Sequence, residues 1–113
     1  MREATRELLS KLPVPIVLIG EPAIIKWANP RAVELLGIPL DQLEDQLVLD
    51  IVHPEDRPQA ASRAGGLFSG EPLPRVRYRV VRPNGTEVAF DVESNVADID
   101  GTSYIISALF VTR

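Results

Sequence analysis

Apolar residues recur along this chain first at helical and later at alternating spacing, and the expected elements follow from those two periods. Residues 3–12 place Ala4, Leu8, Leu9 and Leu12 on one side and pair Glu7 with Lys11 at i,i+4 on the other, which predicts an amphipathic helix. Pro13 and Pro15 end it, because a residue before proline avoids helical geometry. Residues 16–19 (Ile-Val-Leu-Ile) read as a short strand, Gly20-Glu21-Pro22-Ala23 as a turn, and residues 24–28 as a second strand, together an antiparallel hairpin.

Helical spacing returns at once. Asn29 suits a helix cap and Pro30 the first helical position, where no N–H is needed. Ala32, Leu35 and Leu36 share a face, and Gly37 sits where a left-handed C-cap would close the helix. Pro39 breaks the pattern, residues 40–46 suggest a single short helical turn, and residues 47–52 are too short to separate strand from helix by period. Residues 54–68 read as a longer helix, with Glu55 and Asp56 near its positive end and Gly65-Gly66 weakening its last turns. A loop follows at residues 69–72.

The last third has a period of two. Val76, Tyr78 and Val80 alternate with Arg75, Arg77 and Arg79. After a Pro83-Asn84-Gly85 turn, Val88, Phe90, Val92, Ser94 and Val96 alternate with Glu87, Asp91, Glu93 and Asn95. Asp100-Gly101 makes another turn, and residues 102–112 form a strand that is apolar on both faces. Such a strand belongs in the middle of a sheet or under a cover, for which the helix at residues 3–12 is the candidate. The order of elements implies an α+β fold with a five-stranded antiparallel sheet and short helices on one face.

At 113 residues and 45% hydrophobic content, the chain fits one domain, with residues 1–13 as a flanking helix and 14–113 as its body. The absence of cysteine removes disulfides, thiolate nucleophiles and zinc–sulfur or iron–sulfur sites. A net charge of −4 argues against nucleic acid as a partner. The longest apolar runs are too short for membrane insertion, and no basic-then-apolar leader follows Met1, so a soluble, cytoplasmic chain is expected.

Asn29-Pro30, Leu35-Leu36-Gly37, His53-Pro54-Glu55-Asp56-Arg57, Tyr78-Arg79 and Asn84-Gly85 occur in an order and spacing that resemble a PAS domain, the sensory and dimerisation module of signalling proteins. The resemblance spans residues 16–112. It implies the same sheet and helices, and an output domain such as a histidine kinase, cyclase or phosphatase in the same protein, as in bacterial two-component systems. Two positions depart from the pattern. Asp45 stands where the family usually has glycine, which points to a different backbone path, and Phe110 replaces the aspartate of the usual exit motif.

The expected ligand-binding residues are Trp27, Phe68, Tyr78, Phe90, Ser94 and Ser107, a few hydroxyls among apolar groups, as in a small-molecule pocket. The same composition serves a solid core. Trp27 shares the strand parity of Ile25 and would face the cavity, a neighbouring chain or a packed sheet. Leu8, Leu9 and Leu12 would pack on the chain's own sheet or pair with a second copy in a homodimer. His53 is the sole histidine, but haem-binding relatives carry their ligand within the long helix, which His53 precedes. A cysteinyl-flavin adduct is excluded outright, and the cofactor is left unknown. The arginine row at 75, 77 and 79 is expected to be balanced by Glu87, Asp91 and Glu93 on the next strand. No phosphate loop, nucleophile elbow or metal-spaced histidine pair is present, so no enzyme is expected. The reading is a sensory PAS domain that binds a small ligand, dimerises, or both, to regulate an attached output domain. The alternative is a ligand-free homodimerisation or protein-interaction module.

Overall fold

In the computed structural model the described residues are 1–68 and 74–111, with the backbone alone at 67 and 68. The elements run α1 (Glu3–Ser10), β1 (Ile16–Gly20), β2 (Ile24–Ala28), α2 (Pro30–Leu36), α3 (Leu40–Leu43), α4 (Val48–Ile51), a short 3-10 helix (Pro54–Asp56), α5 (Arg57–Phe68), β3 (Val76–Val81), β4 (Glu87–Ile99) and β5 (Thr102–Val111). Among the described residues five strands form one antiparallel sheet in the order β2-β1-β5-β4-β3. The doubly apolar β5 lies at its centre, as its composition requires.

The sheet carries two apolar layers. On the inner face, Val17, Ile25, Tyr78, Val80, Phe90 and Leu109 pack with Ala32 and Leu36 of α2, Leu43 of α3 and Ala60 of α5. On the outer face, Ile16, Leu18 and Trp27 pack with Leu9 of α1, joined by Leu12, Tyr104 and Ile106. Thus α1 covers its own sheet. Leu9 is buried and Leu12 half-buried, whereas Leu8 is 64% exposed. The helix ends two residues before the expected limit because Leu12 precedes Pro13.

Local chemistry accounts for the other boundaries. The ambiguous segment at residues 47–52 is a single helical turn. The stretch at residues 54–68 divides because Pro58 has no N–H to offer a preceding carbonyl, so α5 starts afresh at Arg57 with Pro58 in its first turn. Gly37 closes α2 at φ 66°, with its N–H on the Val33 carbonyl. Asp45, where a different backbone path was expected, holds the left-handed conformation itself at φ 66°, and its N–H reaches the Ile25 carbonyl at 2.8 Å. The expected loop at residues 69–72 and Thr112 lie outside the described residues.

Candidate ligand-binding cavity

The alternating β-segments turn one row of side chains toward α4 and α5, and the two layers do not close completely. Between them lies a cavity of about 80 Å3. Since a water needs roughly 10–15 Å3 by this measure, there is room for about half a dozen non-hydrogen atoms. Its walls are aliphatic and aromatic: Ile19 and Ile25 from the first hairpin, Ile51 from α4, Val80 and Phe90 from β3 and β4, and Ile105 from β5.

Three polar residues interrupt those walls: Arg63, Tyr78 and Ser107. Ser107 is 3% exposed, and its hydroxyl pairs with that of Ser94 across β4 and β5 at 2.8 Å. Tyr78 is 6% exposed, and its buried hydroxyl has no hydrogen-bond partner among the described residues. Burial raises its pKa, with the nearby Arg63 guanidinium opposing that rise, so the phenol stays protonated. Arg63 is 7% exposed; its Nη1 donates to the Pro74 carbonyl and its Nη2 to the Val92 carbonyl at 3.3 Å. Desolvation lowers its pKa, and no carboxylate of the described residues pairs with it.

Tyr78, Phe90 and Ser107 line the cavity, and Ser94 stands behind Ser107. Phe68 ends α5, but its side chain lies outside the described residues. Trp27 does not line this cavity. The pairing of β1 with β2 shifts between Leu18 and Ile19, so that Trp27 faces Leu18 and Ile25 faces Ile19, with Lys26 as an extra residue between them. That bulge reverses the parity, because one inserted residue turns the following side chain to the other face. Trp27 consequently joins the outer layer beneath α1.

Arg63 was missed by sequence reasoning. It sits three residues from Ala60 and one before Ala64, both of which also line the cavity. A charged residue on the small-residue face of a helix is the signal that marks it.

The other charged candidates lie outside the cavity. Arg75 pairs with Asp91 and Glu93, and Arg77 with Asp91, as cross-strand balance requires. Arg75 also lies 4.5 Å above the Phe110 ring, which gives that departure from the family pattern a contact of its own. Arg79 instead turns to the 3-10 helix, binding Asp56 at 3.0 Å and Glu55 at 3.2 Å. Those bonds hold the Asp56 carboxyl below its ordinary range and push the Arg79 guanidinium further up. Glu87, the remaining partner expected for the arginines, meets His53 Nε2 at 3.4 Å, while His53 Nδ1 accepts from the Glu55 N–H. Among the described residues no cluster of three or more His, Asp or Glu side chains is arranged to hold a metal ion, and no helix is long and apolar enough to cross a membrane.

A family model described as the PAS fold matches residues 25–109. Solved structures similar to this chain include the PAS domain of a protein from Desulfitobacterium hafniense, at 14% identity over 94% of this chain and 99% of that one, with TM-score 0.80. A domain of the sensory box sensor histidine kinase/response regulator from Geobacter sulfurreducens is similar at 19% identity, covering 93% of this chain and 90% of that one, with TM-score 0.75. The PAS-B domain of Drosophila melanogaster Cycle, with bound ethylene glycol, is similar at 15% identity, covering 87% and 99%, with TM-score 0.73. At these identities the likeness is one of fold. No curated protein sequence matches the chain significantly.

Proposed function

The chain belongs to the PAS fold family, and from that premise we propose that it is the sensory part of a signalling protein, taking a small molecule into its inner cavity. Occupancy shifts the population of arrangements of sheet and flanking α1, and an output domain of histidine kinase, cyclase or phosphatase type in the same protein reads that shift. The observation that carries this reading is the cavity itself, apolar but furnished with a buried hydroxyl that lacks a partner among the described residues. The bound ethylene glycol of the Drosophila domain is a molecule of the size this space would take. Catalysis is not assigned to this domain, whose role is recognition.

Native mass spectrometry of the untreated domain tests the reading. A small organic adduct is expected, and Ala60→Leu, which fills the cavity, removes it. A bare mass for both proteins contradicts small-molecule sensing.

A second reading, homodimerisation without a ligand, draws on Leu8, which is 64% exposed on α1 beside the buried Leu9, and on Val96, 48% exposed on β4. Sedimentation equilibrium separates the two: this reading requires a dimer that Leu8→Glu dissociates, with no adduct in either state.

A further inference from the structure

Arg63 of α5 and Tyr78 of β3 both line the cavity, and what they lack is complementary. The guanidinium has hydrogen-bonded two backbone carbonyls but meets no negative charge among the described residues. A buried cation held by neutral acceptors alone lacks the compensation that a charge removed from water requires. The phenol is a buried donor without an acceptor among the described residues. The two lie near enough for each to influence the other's protonation. Both are donors, and among the described residues neither meets a negative charge. A ligand that accepts two hydrogen bonds and carries one negative charge satisfies both.

The rest of the space sets the remainder of the ligand. About 80 Å3 admits roughly half a dozen non-hydrogen atoms. Ile51, Val80, Phe90 and Ile105 offer nothing to a polar group, so an inorganic anion with its waters would leave most of the wall in contact with unpaired hydrogen-bonding groups. A neutral alcohol would fill the apolar part but leave the guanidinium uncompensated. We propose that the cavity takes a short aliphatic carboxylate of two to four carbons, its carboxylate between Arg63 and the Tyr78 hydroxyl and its alkyl end against the aliphatic wall. This assignment rests on the sensing role proposed above and names the class of molecule sensed. Guanidinium suits a carboxylate because its planar N–H groups match the two oxygens.

Isothermal titration calorimetry of the dialysed domain with butyrate, butyramide and n-butanol tests it, since the three share an alkyl chain and differ in charge. Butyrate is expected to bind at least tenfold more tightly than either neutral analogue. Arg63→Met, close in volume, should erase that preference, and Tyr78→Phe, which removes a single oxygen, should narrow it severalfold while the melting temperature holds. If Arg63→Met does not fold, Tyr78→Phe decides alone, and an unchanged preference overturns the assignment. Equal or tighter binding of butyramide or butanol also overturns the carboxylate, yet leaves the cavity as a ligand site. Binding by none of the three overturns the assignment, and the native mass of the untreated domain then decides the sensing role separately.

Discussion

Ile25 and Trp27, two residues apart on β2, face opposite sides of the sheet because the bulge at Lys26 lies between them. Ile25 opens onto the cavity, and Trp27 lies beneath α1. The edge of β2 is then covered by the segment that follows α3: Ile25 N–H donates to the Gln46 carbonyl and Val48 N–H to the Ala23 carbonyl, at 2.8 and 2.9 Å. The bulge thus separates the layer that lines the cavity from the layer that holds the flanking helix.

The sole tryptophan becomes a reporter for α1 docking. Leu9 is 8% exposed and packs in the same cluster as Trp27. Leu9→Ala is expected to destabilise the domain by about 2–4 kcal/mol, as large-to-small changes in a packed layer do. Tryptophan emission in the folded variant should shift to the red. Filling the cavity through Ala60→Leu should leave the emission unchanged. Fluorescence at matched folded fraction checks both.

Asn29 does more than cap α2. Its Oδ1 accepts from Ala32 N–H at 3.0 Å and Ile16 N–H at 2.9 Å, while its Nδ2 donates to the carbonyls of Leu9 at 3.1 Å and Val14 at 2.9 Å. The residue is 0% exposed, so its loss takes from the Ile16 and Ala32 N–H groups and the Val14 carbonyl the partner each has in the interior. Asn29→Ala should destabilise by about 3–4 kcal/mol, more than the roughly 1 kcal/mol of an ordinary cap. Asn29→Asp keeps the cap but loses both donors, and should also be less stable than the native domain. Urea unfolding at pH 7 gives the ranking.

Asp56 makes stability depend on acid. Arg79, chiefly through its side-chain hydrogen bonds, holds the Asp56 carboxyl below the ordinary 3.8. The folded chain therefore releases that proton more readily than the unfolded chain. Its stabilisation is complete above the ordinary carboxylate value and disappears as pH falls through the lowered folded value. Asp100, bonded by Arg2 N–H and the Thr5 hydroxyl, acts in the same direction. Asp56→Asn should be less stable at pH 7 and should lose less on going from pH ~5 to ~2 than the native domain does. Denaturation midpoints across that range measure the difference.

The hairpins and the central strand were legible because alternation from Val76 to Val80, from Val88 to Val96 and across residues 102–112 leaves few ways to bury the apolar rows. Asn29 was legible as a cap from its place before Pro30. Its bonds to Leu9 and Val14 were not, because they join residues 20 and 15 positions apart and depend on how α1 docks. Trp27 was misplaced for a related reason: parity counted along β2 carries no sign of an inserted residue, and Lys26 is an ordinary exposed lysine in the sequence. Arg63 escaped notice since its burial depends on carbonyls of Pro74, which precedes β3, and Val92 of β4. Composition identified the hydroxyls; only the fold brought a cation to them.

Isoleucine methyl NMR tests the central account, a ligand cavity confined to the inner face. Ile19, Ile25, Ile51 and Ile105 line that space, whereas Ile16, Ile99 and Ile106 belong to the outer layer. With butyrate, and separately with n-butanol, saturable shifts are expected at the inner four, with the outer three unmoved or changing only slightly. Shifts centred on the outer methyls, or none at any methyl with either compound, would contradict it.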